Sequence, residues 1–262
     1  MLVDERRQNI LNLIQEMGSA RTADLARIFR VSDQTIRRDL YELEVRGLIS
    51  KGYGGGVLIN YQGASYRDRA IQRRQEKLLI AQEAVAHVKY GMTVVIGPGT
   101  TTEAIAHLLN GMDIHVITNS LPVAKAISSR DTTVSLTGGH YRPSSDLVTG
   151  EWTERNLEDL FADLGFIGVS GIGEEAGYTV TEPDEALMLR GFIRVAKRAV
   201  VVTDSSKFHR VARETVAPLG AVHLLITDSD ASQEHLALLG SHGVEVMVCS
   251  DGQEKPATEV VA

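Results

Sequence analysis

The stretch "RVSDQTIRRDLYELEVRGLI", Arg30–Ile49, sits in a chain whose formal net charge is −7, yet it sends a pair of arginines out of the middle of a short helical pattern. Counted at 100° per residue, Ile36, Leu40 and Leu43 fall within about 60° of one another, which makes a helix with one buried stripe. Ser32 suits the N-cap and Gly47 the stop after about Arg46, because a serine hydroxyl accepts from the first unpaired N–H groups and glycine tolerates the left-handed turn that ends a helix. Gln34, Arg38 and Tyr41 then project from the opposite side, with Arg37 on its flank. The bland alternative is a solvated face on which Arg37 and Arg38 merely pair with Glu42.

The surroundings favour the sharper reading. Upstream, Ile10, Leu11, Leu13, Ile14 and Met17 recur at helical spacing from Asp4 to Met17, and Gly18 follows as a stop. Thr22 suits the cap of a second helix, "ADLARIF", with Leu25, Ile28 and Phe29 on one face. Downstream, "LISKGYGGGVLI" places two β-prone runs around a glycine-rich turn, a hairpin or wing. Residues 1–57 thus read as a winged helix-turn-helix. In such a unit the N-terminal half of the third helix enters the major groove of double-stranded DNA, where arginine pairs with guanine or phosphate and glutamine with adenine. The candidate DNA-binding residues are Ser32, Asp33, Gln34, Thr35, Arg37, Arg38 and Tyr41 on the helix and Lys51 and Tyr53 in the wing.

Charge divides the chain in the same place. Residues 1–75 hold 13 Lys+Arg against 9 Asp+Glu, a net +4, and the remainder holds 14 against 25, a net −11. Only the front is suited to meet a polyanion. Residues 58–75, polar and arginine-rich, read as a linker leading into a helix over Gln75–Lys89. Beyond Tyr90 come seven apolar bursts, "MTVVI", "IHVIT", "TVSLT", "FIGV", "AVVVT", "LLIT" and "VEVMV", alternating with helical stretches. Strands apolar along their whole length imply a parallel sheet covered on both faces, so the fold class is α/β, with this larger domain over 76–250 and a loosely held tail at 251–262.

Ligands of parallel α/β sheets sit beyond the carboxyl ends of the strands. There the sequence places "GPGTTT" (97–102), "TNS" (118–120), "TGGHYR" (137–142), "SGIG" (170–173) and "DSSKF" (204–208). The first leads into the helix "EAIAHLL", where free N–H groups, threonine hydroxyls and the helix dipole suit a phosphate. It is neither a Walker loop nor a G-x-G-x-x-G fingerprint, and a plain strand-to-helix turn is an equal reading. Lys207 could supply the cation, or be a solvated surface lysine.

At this point the chain resembles a known family. "RRQNILNLIQEMGSARTADLARIFRVSDQTIRRDLYELEVRGLISKGYGGG" is similar to the N-terminal domain of the DeoR family of bacterial transcription regulators. "GPGTTT", "VITNSLPVA", "TGGHYR", "FIGVSGIG", "EALMLRGFI" and "VVTDSSKF" resemble its C-terminal domain, similar in fold to ribose-5-phosphate isomerase. The resemblance implies a repressor of a carbohydrate-metabolism operon, working as a homo-oligomer on operator DNA and answering to a phosphorylated sugar or related metabolite. It assigns the threonine loop to the phosphate and the lysine to the ligand's side, so the candidate effector residues are Gly99, Thr100, Thr101, Thr102 and Lys207, with Asn119, Ser120, Gly139 and Gly171 lining. Tyr53 stands where many relatives have histidine. Gly97 and Gly173 stand where they have aspartate, which points to an altered or sparingly hydroxylated ligand, or to a weakened site.

The fold likeness makes sugar-phosphate isomerisation the rival. Glu182 or Asp184 in "TEPDEALM" could be its base, or could cap the helix that follows. With glycine at 97 and 173, no catalytic residue is expected. The eight histidines show no metal-ligand spacing, and no cofactor is expected. Trp152 reads as packing beneath its helix. The single cysteine, Cys249, the lack of a long apolar run and the opening "MLVDERRQNI" point to the cytoplasm, with no membrane partner.

Overall fold

Between Arg73 and Arg74 the chain of the computed structural model divides into two units. The structure describes residues 3–17, 19–45, 49–52, 55–58, 66–208 and 210–250. The first unit runs α1 (Val3–Met17), β1 (Ser19–Arg21), α2 (Thr22–Phe29), α3 (Asp33–Val45), β2 (Ile49–Gly52), β3 (Gly55–Leu58) and α4 (Tyr66–Ile71). Its core joins Ile10, Leu11 and Ile14 of α1 to Leu25 and Ala26 of α2, Ile36, Leu40 and Leu43 of α3, and Ile49 of β2. The stripe expected on the third helix is the buried one, and the Ser32 hydroxyl accepts from the Thr35 N–H at 3.2 Å as its cap.

The hairpin of β2 and β3 gains a third strand that the sequence did not announce. β1 pairs antiparallel with β3, Ala20 opposite Gly56. Extended backbone therefore runs on to Arg21, and α2 starts at Thr22 with Arg21 in the cap position and no side-chain cap. Thr22 is a buried first-turn residue, not the cap. The buried arc of α2 centres on Thr22, Leu25 and Ala26, with Phe29 partly buried beside it, which leaves Ile28 beyond its edge, exposed. The proposed stop at Gly47, Gly18, the wing residue Tyr53 and the tail 251–262 lie outside the described residues. Within the stretch read as linker, α4 forms one and a half turns, and the Arg69 guanidinium lies over the Tyr66 ring, 5.8 Å from its centroid. That i,i+3 pair favours helix where a period was not visible.

The second unit opens with α5 (Arg74–Val85), which ends before the expected Lys89. It continues β4 (Thr93–Ile96), α6 (Thr100–Leu109), β5 (His115–Thr118), α7 (Leu121–Ala126), β6 (Thr133–Leu136), β7 (His140–Arg142), β8 (Leu147–Thr149) and α8 (Glu151–Asn156). Then come β9 (Ala162–Ile167), β10 (Gly171–Gly173), β11 (Gly177–Val180), α9 (Pro183–Val195), β12 (Ala196–Val202), β13 (Glu214–Ala217), β14 (Leu224–Asp228), α10 (Gln233–Ser241) and β15 (Glu245–Cys249).

The seven apolar bursts are the seven strands of one parallel sheet, ordered β15-β14-β12-β9-β4-β5-β6. The two faces of its five inner strands are both largely buried, and the pleat sorts them. Val94, Ile96, Val116, Phe166, Val200 and Val202 pack with α5, α6 and α7 residues such as Ile80, Ile105 and Val123. Val95, Ile117, Ile167 and Val201 pack on the other side with Leu189 and Phe192 of α9. Alternation of neighbours along each strand between two apolar layers explains why the strands carry no polar period. Added to the sheet are a hairpin of β7 and β8 and a small antiparallel sheet ordered β10-β11-β13.

Candidate functional site

The third helix presents two unlike faces. Opposite the buried stripe, Gln34, Arg37, Arg38 and Tyr41 are exposed, and so are Ser32 and Asp33 at its start, while Thr35 is half-buried. Among the described residues, no ion pair joins Arg37 or Arg38 to Glu42, so the bland reading of that face finds no support in the geometry. Ser32 and Thr35 share a hydroxyl contact of 2.9 Å at the cap. Lys51 occupies β2 opposite Gly56, and its side chain lies outside the described residues.

Sequence reasoning passed over the acid in the same motif. Asp39 is 2% exposed, and its two oxygens accept from Arg6 Nε at 2.6 Å and Arg7 Nε at 3.1 Å, both on α1. Two of the front's arginines are thereby engaged within the unit. The signal was present: an acid one residue from a buried leucine on the inward side of a helix must find a buried cation.

In the second unit the strand order reverses between β4 and β9, and a crevice at such a reversal is where parallel sheets bind ligands. "GPGTTT" leaves β4 at that point. Gly97 N–H donates to the Phe166 carbonyl at 2.9 Å, and a Cβ there would stand 2.9 Å from Leu189 Cδ2. Gly99, with φ of 140°, takes the cap position of α6 and offers no side chain to its first turn. The N–H groups of that turn have no intrahelical partners and carry the positive end of the helix dipole. Thr100 is half-buried and Thr101 buried, and Thr102 is fully buried and its hydroxyl donates to the Gly99 carbonyl at 2.9 Å. Thr102 thus braces the loop, leaving the first two threonines nearer its surface.

Register sets the other strand ends alongside. Ile96, Thr118 and Leu136 lie abreast, so Gly97, Asn119 and Thr137 leave the sheet at one level. Asn119 is fully buried, donates through Nδ2 to the Val148 carbonyl at 3.2 Å, and has no hydrogen-bond partner for Oδ1. Ser120 caps α7, accepting from Val123 N–H at 3.5 Å. Lys207 closes a 3-10 turn, Ser205–Lys207, held by buried acids: Asp204 accepts from Ser206 N–H at 3.1 Å and Asp228 from Ser205 N–H at 2.7 Å. Gly168, after β9, was not singled out from sequence, yet a Cβ on it would stand 2.9 Å from the Pro98 carbonyl oxygen.

Two expected lining residues have other tasks. A Cβ on Gly139 would stand 2.5 Å from the Thr149 carbonyl oxygen, and one on Gly171 2.3 Å from that of Arg210. Gly139 lets β8 approach, and Gly171 belongs to β10 in the small antiparallel sheet. Glu182 and Asp184, the rival's base candidates, are bound by Arg142 of β7 at 3.4 and 2.5 Å. Glu182 stands in the cap position of α9 but makes no side-chain cap bond. Trp152 is exposed, stacked beside His140 at 6.4 Å, because Thr153 takes the inward position of α8 and donates to the Gly138 carbonyl at 2.5 Å. Among the described residues no group of three or more His, Cys, Asp or Glu could hold a metal ion, and no helix is long and apolar enough to cross a membrane.

Comparison with known proteins covers both units. The families described as DeoR-like helix-turn-helix domain and DeoR C terminal sensor domain match residues 6–62 and 72–229. The putative aga operon transcriptional repressor of Escherichia coli O157:H7 is 32% identical over 94% of this chain and 94% of its own length. The glycerol-3-phosphate regulon repressor of Escherichia coli (strain K12) is 31% identical over 94% of this chain and 98% of its own length. Ribose 5-phosphate isomerase a of Methanocaldococcus jannaschii superposes with a TM-score of 0.39 and 18% identity over 52% of this chain and 55% of that one.

Proposed function

The chain belongs to the DeoR family of transcription regulators, and on that premise we propose that it represses a carbohydrate-metabolism operon from the cytoplasm, binding operator DNA as a homo-oligomer and answering to a phosphorylated metabolite. One observation carries the reading: α3 buries Ile36, Leu40 and Leu43 and turns Gln34, Arg37 and Arg38 to solvent, with no ion pair among the described residues to hold the arginines. Two base-reading side-chain types stand one turn apart on a helix that the rest of the unit supports. Repressors of the aga operon and of the glycerol-3-phosphate regulon share nearly the whole chain.

The phosphate belongs on the α6 N-terminus, held by first-turn N–H groups and the Thr100 and Thr101 hydroxyls, with Lys207, after β12 and separated from β4 by β9, as counter-charge. An effector changes DNA affinity only through different affinities for the two states, typically ~1–3 kcal/mol of coupling. Isomerase chemistry is not part of the proposal, since the two candidate bases are held by Arg142. Lys207→Ala and Thr101→Ala test the site: each blunts the release of DNA by a phosphorylated sugar and leaves DNA affinity without effector intact. A full response in both variants would move the pocket elsewhere.

A further inference from the structure

Asp39 lies between Arg38 of the exposed face and Leu40 of the buried stripe, and it alone among the charged residues of α3 is buried. Its partners, Arg6 and Arg7, come from 33 and 32 residues earlier and approach different oxygens of the one carboxylate. The apolar contacts between α1 and α3 are non-directional and tolerate a roll of one helix on the other. Two charge-assisted hydrogen bonds to one carboxylate do not, because their strength falls steeply with distance and angle. Asp39 therefore fixes the rotation of α3 about its axis.

That rotation decides where the exposed face points. At an outer radius of about 5–6 Å, a roll of about 10° moves a side-chain tip by about 1 Å. Hydrogen bonds keep their strength over a range of about 0.5 Å, so such a roll breaks a paired contact to a base edge. Phosphate contacts, made by long flexible cations to a continuous backbone, tolerate it.

We propose that Asp39, with Arg6 and Arg7, is a positioning residue for base reading: it touches no DNA and sets the angle at which α3 offers Gln34, Arg37 and Arg38. The inference rests on the DNA-binding reading and assigns the arginines of α1 to this bond instead of to phosphate.

The test is Asp39→Asn in the full chain, titrated by anisotropy against the operator duplex and a scrambled duplex of equal length, below the melting transition. Operator affinity falls about 10-fold or more, the scale of one lost paired base contact, while affinity for the scrambled duplex changes less than about twofold. On a background with Gln34, Arg37 and Arg38 all replaced by alanine, where the base contacts are already gone, Asp39→Asn costs under about twofold more, whereas a loss of folded protein would lower both affinities in both backgrounds. If Asp39→Asn does not fold, Asp39→Glu, which keeps the charge and displaces it by one methylene, is expected to lower the operator-to-scrambled ratio in a folded protein. An unchanged ratio in whichever variant is folded overturns the proposal. Wild type that does not distinguish the two duplexes would instead overturn the DNA-binding reading itself.

Discussion

Gly168 lies under Pro98: a Cβ on the glycine would stand 2.9 Å from the proline's carbonyl oxygen and 4.0 Å from Gly99 Cα. The end of β9 thus sets the position of the loop that leaves β4, across the point where the strand order reverses. Because backbone cannot yield as a flexible side chain can, Gly168→Ala displaces the "GPG" turn and the first N–H groups of α6. The expected result is an effector response weakened about 10-fold or more, about 1.4 kcal/mol at the phosphate, with operator affinity in the absence of effector unchanged. Isothermal titration with the active sugar phosphate measures it, and wild-type affinity would show that the loop is not the phosphate's seat.

Arg38→Ala removes an exposed side chain with no ion pair among the described residues, so the melting temperature of its unit stays within about 2–4 °C of wild type, as a surface change within about ±0.5 kcal/mol allows. Specific operator binding weakens by about 1–3 kcal/mol, and the preference at one base pair relaxes. Competition between operator variants reads this directly. Retained specificity would mean that another face of the unit reads the bases.

Much of this was legible in the sequence because the signals were local. The spacing of Ile36, Leu40 and Leu43 marked the buried stripe, and seven apolar bursts marked seven strands of the sheet. What escaped depended on partners distant in the chain. β1 is a strand only because β3 returns to pair with it, and α2 begins at Thr22 for that reason. Asp39 looked like one more polar residue of the arginine helix until Arg6 and Arg7 were seen to meet it. At Gly139 and Gly171 a neighbouring backbone comes close, a demand for glycine that the sequence does not announce. Arg142 lies some 40 residues from Glu182 and Asp184 of "TEPDEALM", and no spacing rule could have paired them.

Tyr178 is fully buried among Ile172, Val180 and Val216, its hydroxyl has no hydrogen-bond partner, and burial raises its pKa. A buried polar group without a partner costs about 1–3 kcal/mol. Tyr178→Phe removes the unmatched group and keeps the ring, so it raises the melting temperature of the effector-free protein by about 2–4 °C for each kcal/mol relieved. A lower melting temperature would reveal a partner for that hydroxyl.

Burial pushes the Cys249 thiol up to about 12, with the charges of Glu83 and Asp228 adding to the effect. The thiolate is the reactive form, and at pH 8 it is scarce in the native state. Alkylation of the folded protein at that pH is therefore slower than in denaturant by about a thousandfold, the difference between about 12 and the ordinary 9.0. The rate rises with pH toward the shifted value. Equal rates in folded and unfolded protein would contradict the half-buried setting of the thiol.

The most direct test of a basic reading head joined to an acidic sensing body is anisotropy of the duplex upstream of this protein's own gene, titrated with the protein at two salt concentrations and then challenged with a panel of sugar phosphates. The account predicts tight binding that weakens steeply with salt, as release of counterions from phosphate contacts requires, and that one phosphorylated compound shifts while its dephosphorylated form does not. Salt-insensitive binding, or binding that no phosphorylated compound shifts more than its dephosphorylated form, would contradict it.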